Sequence, residues 1–127
     1  MNFPDDRKYT EHDEWVLVDG DVITVGLSDY AQDALGELVY IDLPQVGTRF
    51  EANAKVCEVE SVKAVAEVYC PVDGEVIAVN EALSGSEGMA NSDPYGEGWL
   101  YRLRVANPAQ LESLMDAAAY QAKIAAH

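Results

Sequence analysis

Lys63 stands alone between two alternating runs. Cys57-Glu58-Val59-Glu60 precedes it and Val65-Ala66-Glu67-Val68 follows, each alternating apolar with acidic or small residues. A period of two with β-branched enrichment marks half-buried strands rather than a helix. The runs are expected to pair as a hairpin over 56–70 with Ser61, Val62, Lys63 and Ala64 at the bend. Neither Asn-Gly nor Asp-Gly occurs there, so periodicity predicts the hairpin and leaves the turn type open. A primary amine at such a tip is either a handle for another molecule or an ordinary lysine protecting a sheet edge. Only eight residues are basic against 23 acidic, and Glu58, Glu60 and Glu67 ring Lys63 in the sequence. Lys63 is thus an isolated cation in a negative field. Those three glutamates read as an acid/base cluster or, better, as the solvated, partner-facing side of the hairpin. No Gly-rich phosphate loop is present, no Ser or Cys nucleophile sits beside a motif-placed His, and the imidazoles are His12 and His127. The chain therefore does not read as a catalyst.

The elements that must hold the hairpin are also short strands. Pro71-Val72-Asp73-Gly74 is a turn signal that launches a strand over 75–79. Gly74-Glu75-Val76-Ile77-Ala78-Val79 repeats the upstream pattern Gly20-Asp21-Val22-Ile23-Thr24-Val25, which suggests two similar halves folded on one another or a chance convergence of two strand starts. Further strands are expected over 14–18, 21–25, 38–42 and 99–105, bounded by Gly, Pro or Asp. Ser28 can cap a short helix through Tyr30 to Leu35, and Gly36 can end it. Asn107 at the cap, Pro108 at the first position and Gln110 at the third predict a C-terminal helix over 108–123. Leu111, Leu114, Met115, Ala118 and Ala122 would form its packed face. The fold class read from these elements is mostly β (α+β), a sandwich with short helices.

At 127 residues, 49% hydrophobic, with five prolines, the chain suits one domain over 1–127 with a modest core. A net charge of −15 argues against nucleic acid, which is recognised by basic patches. It favours docking on partners with basic rims. No apolar run reaches about 18 residues, so no transmembrane helix is expected. Met1-Asn2-Phe3-Pro4-Asp5-Asp6 lacks the features of a secretory or organellar leader. A monomer in the bacterial cytoplasm is the expectation, with a mature mitochondrial form as the alternative. Cys57 and Cys70 would lie diagonally across the hairpin, either bridged or, in a reducing compartment, as two buried free thiols. Two cysteines without clustered histidine make no zinc site, and no metal is predicted.

The chain resembles the H proteins of the glycine cleavage system, over nearly its whole length. The resemblance is carried by Tyr9-Thr10, Glu14-Trp15, Val25-Gly26-Leu27-Ser28-Asp29-Tyr30-Ala31-Gln32, Gly36-Glu37-Leu38-Val39-Tyr40, Leu43-Pro44 and Val46-Gly47. Downstream it is carried by Val59-Glu60-Ser61-Val62-Lys63-Ala64, Pro71-Val72, Gly74-Glu75-Val76 and the segment from Asn91-Ser92-Asp93-Pro94 through Trp99-Leu100. The resemblance implies a barrel-sandwich hybrid of the biotinyl/lipoyl-carrier type. It implies that Lys63 carries lipoate in amide linkage, with Glu60, Ser61, Val62 and Ala64 read by a lipoate ligase or a lipoyl/octanoyl transferase.

In that family the arm takes an aminomethyl group from glycine at a pyridoxal-phosphate glycine decarboxylase and delivers it to a tetrahydrofolate-dependent aminomethyltransferase. A flavin dihydrolipoamide dehydrogenase then reoxidises the dithiol. The loaded group is labile in water and is sheltered in a surface cleft. Glu14 matches a position near that cleft and is expected to contact the loaded amine, with Glu67 as a second candidate contact. The alternative for Glu14 is that it solvates the strand beside Trp15.

The chain departs from the family pattern in having Asp13 before Glu14-Trp15, with His12 one place earlier than the usual imidazole. It also has Ala66-Glu67 where Ser-Asp is usual, and Cys70. Competing readings are a lipoyl or biotinyl carrier of another multienzyme complex, disfavoured by Ser-Val-Lys-Ala at the tip, and an unmodified β-sandwich interaction protein.

Overall fold

The computed structural model describes residues 1–126. Among them, nine strands form two sheets: β1 (Lys8–Tyr9), β2 (Glu14–Asp19), β3 (Val22–Leu27), β4 (Leu38–Asp42), β5 (Arg49–Phe50), β6 (Lys55–Ser61), β7 (Val65–Tyr69), β8 (Gly74–Val79) and β9 (Tyr101–Val105). The six-stranded sheet runs β1-β2-β3-β9-β8-β5 and the three-stranded sheet β4-β6-β7, all antiparallel. Alternation dictates the layering. Val16, Ile23, Val25 and Leu103 of the large sheet and Val59 and Val68 of the small one share a single apolar core. The mostly β class expected from periodicity is the observed one.

The repeated segments become β3 and β8, which flank β9 on opposite sides. Thr24 and Ala78 both oppose Arg102, and Val25 and Val79 both oppose Tyr101. A bulge between Val76 and Ala78 brings the second copy into that matching register. The expected helix is α1 (Asp29–Leu35), with Ser28 Oγ accepting from Ala31 N at 3.1 Å and Gly36, at φ 79°, donating its N–H to Gln32 O. A single turn, α2 (Met89–Ser92), packs near it.

Beneath the N-terminal arm a second cluster gathers Tyr9, Trp15, Ala117 and Tyr120. Trp15 is locked by donating Nε1–H to Pro94 O at 2.8 Å, and its ring lies against the backbone of Gly26, where an added Cβ would stand 2.6 Å from three ring atoms. Gly26 is required by this close approach. Gly26→Ala is expected to destabilise the protein by about 1–3 kcal/mol, read as a lowered thermal midpoint, because a buried ring held by a hydrogen bond cannot step aside. An unchanged midpoint would refute the packing account.

The C-terminus differs from expectation. Instead of one helix over 108–123, a 3₁₀ segment (Pro108–Ser113) is followed by an extended stretch and then α3 (Ala117–Ala125). Met115 exchanges both backbone hydrogen bonds with Tyr9, at 2.8 and 2.9 Å, and those bonds cannot coexist with helix at that point. Asn107 makes no side-chain cap, and Gln110 Oε1 instead accepts from Asp73 N at 2.7 Å. The cap that starts α3 is Asp116, which accepts from Ala119 N. Ala118 and Ala122 consequently face solvent, while Ala117 and Tyr120 are buried.

Candidate functional site

The hairpin forms where periodicity placed it. Strands β6 and β7 pair Glu60 with Val65, Val59 with Ala66, Glu58 with Glu67 and Cys57 with Val68. Ser61 supplies what the missing Asn-Gly would have. Its backbone N–H bonds Ala64 O at 2.8 Å, and its hydroxyl oxygen accepts from Ala64 N at 3.0 Å and Lys63 N at 3.3 Å. A serine hydroxyl holding nearby amides is a recognised local turn device.

The tip is braced from below as well. Val62 N donates to Glu37 O at 3.0 Å, and Asn91 ties the neighbouring Leu38 N and Gly36 O to α2. The Lys63 stem lies over Gly36, where an added Cβ would meet Cε at 3.4 Å. Val62 and Val65 flank the lysine at 66% and 61% exposure. The result is a rigid backbone presenting a long, solvated side chain.

Outward from the small sheet project two cross-strand rows, Tyr40–Glu60–Val65 next to the tip and Asp42–Glu58–Glu67 behind it. Carboxylates directly opposite one another oppose folding, and Lys55, which bonds Glu58, relieves part of that repulsion. Such a face suits a partner with a basic rim.

At the far end of β7 lies Glu14. It is 1% exposed, not solvated, so it does more than coat its strand. Thr10 Oγ1 donates to its Oε1 at 2.7 Å and Tyr69 N to its Oε2 at 2.9 Å. Burial pushes its carboxyl up to about 7 against the downward pull of those two hydrogen bonds. Glu14 borders a cleft of about 440 Å³ that also touches Thr10, His12, Cys70, Leu114 and Lys123.

Two neighbours complete this end. Tyr69 donates its hydroxyl to Glu67 at 2.5 Å, and the His12 ring packs on Tyr69 with centroids 4.2 Å apart. The loop carrying His12 is held by Asp13, a non-glycine residue at φ 68°, whose carboxylate accepts from Tyr120 Oη at 2.9 Å. That left-handed conformation is sparsely populated and persists because its surroundings enforce it. Of the candidates read from the sequence, Lys63 and its tip neighbours lie at one end of β7 and Glu14 at the other, while Glu67 stands mid-strand and is linked to Glu14 through Tyr69, whose N–H bonds Glu14 and whose hydroxyl bonds Glu67. His12 received no role from the sequence. Its two-residue spacing from Glu14 was the available signal.

Cys57 and Cys70 are free and buried. Burial pushes their thiols up to about 12 and about 11, and Cys70 donates its S–H to Val72 O at 3.1 Å. Thiols so held are poor nucleophiles and leave disulfide exchange to any sulfur brought in from outside.

The profile of the family described as Glycine cleavage H-protein matches residues 7–127. The chain belongs to that family. A glycine cleavage system H protein of Methylacidiphilum infernorum is 53% identical over 121 residues, covering 95% of this chain and 94% of the relative. One from Thermus thermophilus is 49% identical with the same coverage. The fold is similar to the crystal structure of a glycine cleavage system H protein from Mycobacterium marinum, with a TM-score of 0.89 and 34% identity over 97% of this chain and 99% of that one. Among the described residues, no helix is long and apolar enough to cross a membrane.

Proposed function

We propose that this chain is the lipoyl-lysine carrier of the glycine cleavage system, with lipoate joined by an amide to Nζ of Lys63. The observation that carries the reading is the pairing, along one edge strand, of an exposed lysine on a braced tip with a buried carboxylate at the opposite end. The residues fit the group. The lysine is exposed, with its stem beside Gly36, and the cleft is large enough to receive the end of a long side chain.

Each residue then has a task. Ser61 fixes the turn that points Lys63 outward, while Glu60, Val62 and Ala64 present the surface that a lipoate ligase or transferase reads. Amide formation removes the lysine charge, so the tip can enter apolar active sites. The bound lipoyl group supplies a disulfide that accepts the aminomethyl group of glycine and, after delivery, a dithiol that is reoxidised. Glu14, which burial holds close to the midpoint of its ionisation at neutral pH while its site is empty, ionises fully against a cationic amine and holds it. Glu67, midway along β7 and bonded to the Tyr69 hydroxyl, adds a second negative charge on the path between the tip and Glu14.

The chain supplies no catalytic group of its own in this reading. Catalysis belongs to its partners, the pyridoxal-phosphate decarboxylase, the folate-dependent aminomethyltransferase and the flavin dihydrolipoamide dehydrogenase. The acidic outer rows favour fast encounter with basic rims on these enzymes. One carrier domain over the whole chain, monomeric and cytoplasmic, completes the proposal.

The reading is tested by lipoylating the protein and supplying the three partner enzymes, glycine, tetrahydrofolate and NAD. Carbon dioxide release that depends on this chain and saturates with its concentration is the expected result. No release with a fully lipoylated sample overturns the reading.

A further inference from the structure

Glu14 presents a contradiction that its neighbours resolve. At 1% exposure its carboxylate cannot be touched by any incoming group unless a neighbour moves. The contacts around it form a closed circuit. Thr10 donates its hydroxyl to Glu14, His12 N donates to the same Thr10 oxygen at 3.2 Å, the His12 ring packs on Tyr69, and Tyr69 N returns to Glu14.

Three of these links are hard to open. Thr10 Oγ1 also accepts from Glu14 N, and Thr10 N bonds Glu14 O, so that residue is held at several points. Tyr69 is anchored by β7 and by its hydroxyl bond to Glu67. The His12 side chain is one-third exposed, and among the described residues its ring has the Glu11 carboxylate at 3.7 Å besides its tilted packing on Tyr69. Rotating this imidazole off Tyr69 breaks no backbone hydrogen bond.

We propose that His12 is the gate of the Glu14 site, a positioning residue that swings off Tyr69 to admit the loaded amine and then restricts water at the mouth of the cleft. The proposal rests on the carrier reading above and adds to it a moving part. The reaction that the gate slows is decomposition of the cargo. Water adds to the carbon between sulfur and nitrogen, the C–S and C–N bonds break, and the products are the carrier thiol, formaldehyde and ammonium, with no change in overall oxidation state. Restricting water at a reactive group is an established way to suppress such side reactions.

The test uses full-length lipoylated protein, loaded with glycine and the decarboxylase and then freed of enzyme. Ammonia and formaldehyde release is followed in the wild type, His12→Ala and His12→Phe. Release is expected to be about tenfold faster in His12→Ala and to return to within about twofold of wild type in His12→Phe, whose ring restores the cover on Tyr69. Independently, the imidazole proton resonances of wild-type His12 should shift on loading, because the ring closes again beside Tyr69 with the loaded amine against it. Equal release from wild type and His12→Ala, or resonances unmoved by loading, overturns the gate. If the wild type accepts lipoate but takes no cargo from glycine, the carrier reading itself fails and the gate falls with it.

Discussion

Lys63→Arg is expected to gain no mass when incubated with lipoate ligase, lipoate and ATP, whereas the native chain gains a single lipoyl group. Arginine keeps the positive charge and a similar length, but its guanidinium stays protonated and cannot act as the acylated amine. The substitution should leave the fold intact. The bonds that shape the tip come from Ser61 and the backbone, and among the described residues Lys63 takes part in no ion pair. The effect is therefore all or nothing, and intact-mass spectrometry with a thermal melt as a folding control reads it. A lipoyl addition that survives in Lys63→Arg would place the arm on another amine and remove the basis for linking the tip to the Glu14 cleft.

Glu14→Gln should abolish a pH dependence of stability that the native chain possesses. The folded-state value for Glu14 is about 7, raised from the ordinary 4.5 by burial. The folded protein thus binds the proton more tightly than the unfolded chain. The contribution is fully present below about pH 4.5, declines as pH rises, and is gone above about pH 7. Its ceiling is about 3 kcal/mol, from roughly 1.4 kcal/mol for each pH unit between the two values.

Glutamine stays uncharged throughout, so the native protein should lose stability relative to Glu14→Gln between pH 4.5 and 7. Denaturant unfolding of both proteins without lipoate, at half-unit pH steps, reads the difference and cancels the other titrating groups. Parallel stability profiles would refute the buried-carboxyl account. The same substitution should shorten retention of the loaded amine about tenfold, the size expected when a charge-assisted hydrogen bond is lost.

Much of the fold was legible because its signals are local. The alternation about Lys63 predicted β6, β7 and the bend, and the Ser28 and Gly36 caps predicted α1, since each depends on residues within a few positions of one another. The turn type was not legible. It depends on the Ser61 hydroxyl rather than on a left-handed dipeptide, and serine is common enough in strands to signal nothing by itself. At the C-terminus, cap-like residues at 107–110 pointed to a helix that the Tyr9–Met115 bridge interrupts. Local propensity is weak and yields to a pair of backbone hydrogen bonds made across the chain.

The sequence by itself determined the two-residue periodicity, the isolated lysine in an acidic surround and the ordered motifs that mark the family. These are properties of residue type and spacing and need no partner to exist. Only the tertiary structure decided that Glu14 is sealed, that Tyr69 connects it to the lysine-bearing strand and that the His12 ring packs on Tyr69. Burial and its consequences for charge arise when strands 55 residues apart in the chain close on one another, and no local pattern encodes the solvent that such closure removes.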